Sequence, residues 1–154
     1  MASEIELRLQ KLGIELPKPA APVANYVGAV VAGNLLVVSG QLPIGPNGIT
    51  VKGKVGANVS EAQAKEAARL CAINILAQAK AALGDLSRIR RCIRLGGFVN
   101  ALPDYQTIPQ IVNGASDLMV EALGDAGKHA RYAVGVAQLP LDAPVEVEAM
   151  FEIS

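Results

Sequence analysis

The stretch from Ser60 to Gly84 constrains this chain more than any other. Ser60 with Gln63 three residues later is a capping box, in which each side chain satisfies a backbone donor at the start of a helix. Ala64, Ala68, Cys71, Ile75, Ala79 and Ala82 then recur at helical spacing, and Gly84 supplies a left-handed stop. A long helix with one apolar stripe must bury that stripe against another layer. The segments around it say what the layer is. Val27 to Val31 and Leu35 to Ser39 read as a hairpin about Gly33-Asn34, a two-residue turn that tolerates positive φ. Arg91 to Val99 reads as a strand whose Gly96-Gly97 marks a bulge or a close approach of another backbone. A second helix opens near Pro109, which suits a first turn, and runs through Ile111, Val112, Ala115, Leu118, Met119 and Ala122 to Gly124. His129 to Val136 and Val145 to Ala149 alternate with period two and close the sheet.

The order is helix, β, β, α, β, α, β, β, within a length that suits one domain, 1–154. Ser3 to Leu12 is a short helix striped by Ile5, Leu9 and Leu12, so 1–16 is a helical extension. Residues 17–23 form a proline-rich arm, because three prolines fix φ and remove donors. Pro43 to Gly56, rich in Gly and Pro, is an irregular connection with a short strand. This pattern predicts an α+β, two-layer fold: a mixed β-sheet with two long helices on one face. Hydrophobic residues make up 51% of the chain, many of them small, so the opposite sheet face is expected to pack against sister subunits.

Charge and composition narrow the function. Fourteen basic and fourteen acidic side chains cancel, and there are three Tyr, two Phe and no Trp. That is a poor endowment for gripping nucleic acid, which wants a basic face and stacking aromatics. Arg88, Arg90, Arg91 and Arg94 read as the solvated start of a strand. No run of 18 apolar residues exists, which argues against a membrane partner and for a cytoplasmic protein. Cys71 and Cys92, with a single histidine in the chain, make no metal site and read as buried free thiols.

The last two strands carry charge where small or apolar residues would pack. Arg131 is followed on its own face by Ala133, Gly135 and Ala137, an almost bare floor with room for a small ligand. Guanidinium grips a carboxylate with two parallel hydrogen bonds. Glu146 or Glu148 of Val145-Glu146-Val147-Glu148-Ala149 could supply an acid–base partner. The plainer alternative is that Arg131 and these glutamates form structural or interface ion pairs.

Taken with Asn25-Tyr26-Val27 and Val38-Ser39-Gly40-Gln41-Leu42-Pro43, these segments resemble the Rid/YjgF family from about Tyr26 to Glu152. Its members are reactive-intermediate deaminases, also named L-PSP endoribonucleases or translation inhibitors. The resemblance implies a chorismate-mutase-like fold assembled as a homotrimer with sites in the clefts between subunits. It also implies hydrolysis of small enamines and imines, such as 2-aminoacrylate, to 2-keto acids and ammonia, with no metal and no cofactor. Arg131 aligns with the family's carboxylate-binding arginine, and Glu146 with the residue that orients or activates water. Tyr26, Ser39 and Asn113 fall at pocket positions, the first two from the neighbouring subunit's side. Glu148 is read as an ion-pair partner, and His129, on the arginine's face, has no catalytic counterpart in the family. His129, Tyr132, Ala133 and Gly135 depart from the familiar motif, which marks a divergent subgroup. Two alternatives stay open: a non-catalytic regulatory trimer that binds small carboxylates, and an endoribonuclease. Neutral charge and the lack of paired histidines weigh against the second.

Overall fold

In the computed structural model, which describes residues 2–19, 21–22 and 24–154, Ser60 caps the longest helix as its spacing predicts. Its hydroxyl accepts from the Gln63 backbone N–H at 3.1 Å, and the Gln63 side chain accepts from the Ser60 N–H at 2.9 Å. This helix, α2 (Glu61–Leu83), stops at Gly84, where φ is +77°. Ala64, Ala68, Cys71, Ile75 and Ala79 are fully buried along it, whereas Ala82 is exposed and Leu83 turns inward instead. The N-terminal helix, α1 (Glu4–Lys11), uses the same device with Ser3 and Glu6. Lys80 of α2 bonds the Glu6 carboxyl and holds it below its usual range. Residues 14–19 form no regular element. Met1 of the expected extension, and Ala20 and Val23 of the expected arm, lie outside the described residues.

Strands β1 (Ala29–Ala32) and β2 (Leu35–Gln41) form the predicted hairpin, with Ala32 opposite Leu35 and Gly33 at φ +60° in the turn. In the Gly/Pro-rich connection two short strands pair, β3 (Ile44–Gly45) and β4 (Gly48–Ile49), where one was expected. Then follow β5 (Ile89–Asn100), α3 (Ile108–Leu123), β6 (Ala130–Val136) and β7 (Val145–Ile153). The main sheet has the order β1-β2-β7-β5-β6. The last strand in sequence therefore inserts into the middle, antiparallel to both neighbours, and β6 becomes an edge strand parallel to β5.

Alternation along β7 separates the two faces. Val145, Val147, Ala149, Phe151 and Ile153 are buried, and Glu146, Glu148, Met150 and Glu152 point the other way. Both long helices cover the first face, which gives the two layers predicted. On the second face of the protomer Val30, Val37, Tyr132 and Val134 are exposed. Gly96-Gly97 is not a bulge, because the register of β5 against β7 shifts earlier, between Ile89 and Arg91 and between Cys92 and Arg94. These glycines make room for side chains. A Cβ on Gly97 would lie 2.6 Å from Val112, and one on Gly96 would lie 2.2 Å from the Tyr132 hydroxyl.

The seating of α3 on α2 matters for the site, since α3 carries Asn113. A Cβ on Gly114 would lie 2.0 Å from the Lys65 carbonyl oxygen, so the two helices touch backbone to side-chain-free backbone there. Gly114→Ala should push them apart and lower stability by about 1–3 kcal/mol, read as a lower urea midpoint. An unchanged midpoint would mean that this contact is loose. Both cysteines are free and buried. Burial pushes the Cys71 thiol well above its usual range and the Cys92 thiol up to about 12, so neither is a thiolate nucleophile at neutral pH.

Candidate active site

Arg131 lies on β6 in register with Leu95 of β5, so its side chain emerges on the helix-covered face. There α3 meets it. Guanidinium Nη1 donates to Asn113 Oδ1 at 2.7 Å and to Ser116 Oγ at 3.1 Å. Asn113 and Ser116 are three residues apart on one helix face, which is why both reach the same nitrogen. Both hydrogen bonds use Nη1, which leaves the Nε–Nη2 edge of the fork without a partner among the described residues. The half-buried guanidinium is thus oriented from behind and can present two parallel donors to a carboxylate. The floor inferred from Ala133 and Gly135 is not vacant. Ile108 of α3 stands 3.5 Å from where a Gly135 Cβ would be, and Val112 covers Gly97 beside Ala133. The small residues let α3 sit close, and that brings Asn113 and Ser116 onto the arginine.

Glu146 sits elsewhere. Its register partner is Phe98, and Phe98 packs edge-on against Tyr132 at 5.7 Å on the face away from the helices. Val147, the next residue, is buried on the helix side. Arg131 and Glu146 of one chain therefore project from opposite faces of the sheet. The neighbour of Glu146 is the bulged end of β2, where the register against β7 shifts between Val38 and Gln41. A Cβ on Gly40 would fall 2.1 Å from Glu146 Oε2, so only glycine lets the carboxylate lie there. Burial raises the Glu146 carboxyl above its ordinary value, and no hydrogen bond or ion pair offsets that among the described residues. A carboxyl with that environment exchanges protons closer to neutrality than a solvated one.

The other two pocket candidates fall on Glu146's side. Ser39 precedes Gly40, and its hydroxyl donates to the Val27 carbonyl oxygen at 2.7 Å, which ties β2 to the segment that carries Tyr26. Tyr26 itself is 55% exposed and its ring is open to whatever comes against it. The five candidates thus fall into two groups: Arg131 bonded to Asn113, and Glu146 beside Gly40, next to Ser39 and the segment of Tyr26 that Ser39 ties down. Glu148 is a partner in an ion pair, as its sequence position predicts. Arg94 donates to it at 3.1 Å and the Tyr132 hydroxyl at 2.9 Å. Burial and that carboxylate raise the Tyr132 phenol above its usual value. Sequence reasoning missed Ser116 and Gly40. The signals were there: an i,i+3 polar pair on an otherwise apolar helix, and a glycine inside a strand. A hollow of about 830 Å3 between α1, the segment after it and α2 contains none of these residues.

The guanidinium thus stands on its shelf at one sheet edge, and the partly desolvated carboxyl lies on the opposite face. Residues 6–153 match the family model described as "YjgF/chorismate_mutase-like, putative endoribonuclease", so the chain belongs to the YjgF/Rid family. Among its relatives, Protein TCP17 of Trypanosoma cruzi is 46% identical over 154 residues, covering 99% of this chain and 96% of that one. The 2-iminobutanoate/2-iminopropanoate deaminase of Escherichia coli K12 is 33% identical, covering 86% and 89%. The crystal structure of Atu1372 from Agrobacterium tumefaciens, a protein of unknown function, superposes with a TM-score of 0.92 at 53% identity, over 98% of this chain and 93% of that one. Among the described residues no helix is long and apolar enough to cross a membrane.

Proposed function

We propose that this chain is a cofactor-independent hydrolase of small enamines and imines of the 2-aminoacrylate type, releasing 2-keto acids and ammonia. The site is a cleft between subunits of a homotrimer, where Arg131 and Asn113 of one protomer meet Glu146, Ser39 and Tyr26 of the next. The observation that carries this reading is the free edge of the Arg131 fork, held in orientation by Asn113 and Ser116 through Nη1 alone. The E. coli relative named for 2-imino acids agrees with a carboxylate-bearing imine as the ligand class.

The chemistry follows from the groups. Arg131 holds the carboxylate and so fixes the imine carbon in place. An enamine first takes a proton at carbon and gives one up from nitrogen, becoming the imine. Water adds to the imine carbon while Glu146 accepts its proton and passes one to nitrogen. The resulting carbinolamine expels ammonia and leaves the 2-keto acid, so one water is consumed for each ammonia released. Electron flow ends on a nitrogen that is already a good leaving group once protonated. A coupled assay of 2-aminoacrylate clearance tests this: the wild type should accelerate clearance and Arg131→Ala should not. Equal clearance by both proteins would remove the anchor from the mechanism.

Assembly has its own test. Sedimentation at micromolar concentration should give about three chains per particle, the closed three-fold ring that the proposal requires. A stable monomer would leave both half-sites incomplete and contradict the inter-subunit cleft.

A further inference from the structure

One histidine and one serine have no part in the proposed reaction, yet the serine is bonded to the arginine and the histidine to the serine. His129 is the chain's single histidine. Its Nδ1 lies 2.6 Å from the Gly127 carbonyl oxygen and its Nε2 2.9 Å from Ser116 Oγ. A carbonyl oxygen can only accept, so Nδ1 carries the proton and donates it. In the neutral ring Nε2 is then the acceptor, and the Ser116 hydroxyl donates to it. The same hydroxyl oxygen accepts from Arg131 Nη1, whose other proton goes to Asn113. The direction of the chain is fixed throughout: arginine to serine to imidazole, and imidazole to backbone carbonyl.

A proton added to His129 reverses one link. Nε2 becomes a donor, so Ser116 Oγ must accept from imidazolium and guanidinium together. Its own proton then turns away from both cations, towards any acceptor bound beside the guanidinium. A second positive charge also arrives one hydroxyl away from Arg131. Both changes favour an anion. The charged residues that line a surface hollow with His129 are Arg91 of β5, Glu152 of β7 and Lys128, and Asp125 pairs with Lys128 at 3.3 Å. Resting on the reading of Arg131 as the carboxylate anchor, we propose that Ser116 and His129 are positioning residues of that anchor, and that His129 takes up a proton when the anionic ligand binds.

Because the chain has one histidine, its ring resonances need no assignment. Nitrogen-15 NMR of the free protein should show the Nδ1–H tautomer. Adding 2-oxobutanoate at a fixed pH of about 6.5, inside the range where imidazoles titrate, should increase the protonated fraction of the ring. By reciprocity, calorimetric affinity should be about five- to tenfold higher near pH 5.5 than near pH 8. That step should vanish in His129→Gln, which separates it from any titration of Glu146. Ser116→Ala should keep the fold and the Nδ1–H tautomer, which the Gly127 carbonyl holds, but uncouple the ring from the ligand and weaken binding several-fold at both pH values. An Nε2–H tautomer, a ring unmoved by saturating ligand, or a pH step that survives in His129→Gln would overturn the proposal. Arg131→Ala keeps the two claims apart. If that variant binds 2-oxobutanoate as tightly as the wild type, the anchor itself falls; if it loses binding while the wild-type ring ignores ligand, only the role of Ser116 and His129 falls.

Discussion

Arg131→Ala should weaken binding of small 2-keto acids ten- to a hundredfold while leaving the urea midpoint nearly unchanged. The size follows from losing a charge-assisted bidentate contact, roughly 1.5–3 kcal/mol. The second half of the expectation follows from the surroundings of the side chain. Its bonds to Asn113 and Ser116 are made by a half-buried group, and both partners can turn to water when it is gone. A structural ion pair would behave in the opposite way, with stability falling and ligand affinity unmoved. Arg131 has no carboxylate partner among the described residues, so an ion pair within the protomer finds none of the contacts it needs. Isothermal calorimetry with 2-oxobutanoate decides between them, and equal affinity in the variant would return the arginine to a structural role.

Glu146→Gln should lower turnover by on the order of a hundredfold or more with carboxylate binding intact, because the amide keeps the shape but cannot take a proton. Its effect on stability has a definite sign. The folded carboxyl is raised by burial, so its contribution to stability is fully present below its ordinary value and is lost as pH rises through the raised folded value. At neutral pH the wild type therefore carries an ionised group that the fold disfavours, and glutamine removes it. Glu146→Gln should be as stable as the wild type or slightly more so at pH 7, with the difference closing in acid. Glu148→Gln is the control. It loses the charge that pairs with Arg94, while its amide oxygen can still accept from Tyr132, and it should cost little rate. Fast turnover by a well-folded Glu146→Gln oligomer would exclude proton transfer by this residue.

Most of the fold was legible because local signals carried it. The caps at Ser3 and Ser60, the turn at Gly33-Asn34 and the alternating burial of β7 each rest on chemistry within a few residues. Strand order was not legible in the same way, since nothing near Val145 says that β7 will insert between β2 and β5. The arginine and the glutamate were legible as residue types in a pattern, but their separation was not. Period-two reading places a side chain on one of two faces of its own strand; it does not say which face of the sheet that is until the pairing is known. Gly135 shows the same limit from another side. A missing Cβ reads equally as space for a ligand or as space for a helix, and here α3 occupies it with Ile108. Ser116 was hidden because a lone hydroxyl on an apolar helix has no partner in sequence until β6 is laid beside it.

The central claim is that one chain cannot complete the site, because its anchor and its acid–base group project from opposite faces of its sheet. Subunit complementation tests it directly. Arg131→Ala chains and Glu146→Gln chains carrying different affinity tags are co-expressed, and particles holding both tags are isolated in two steps. If the anchor of one protomer works with the carboxyl of the next, every mixed trimer contains one intact site, and 2-aminoacrylate clearance should return to about a third of the wild-type rate per particle. If both groups served the same site from the same chain, no mixed particle would hold an intact pair. Activity in the doubly tagged particles no higher than in the two parent variants would contradict the account.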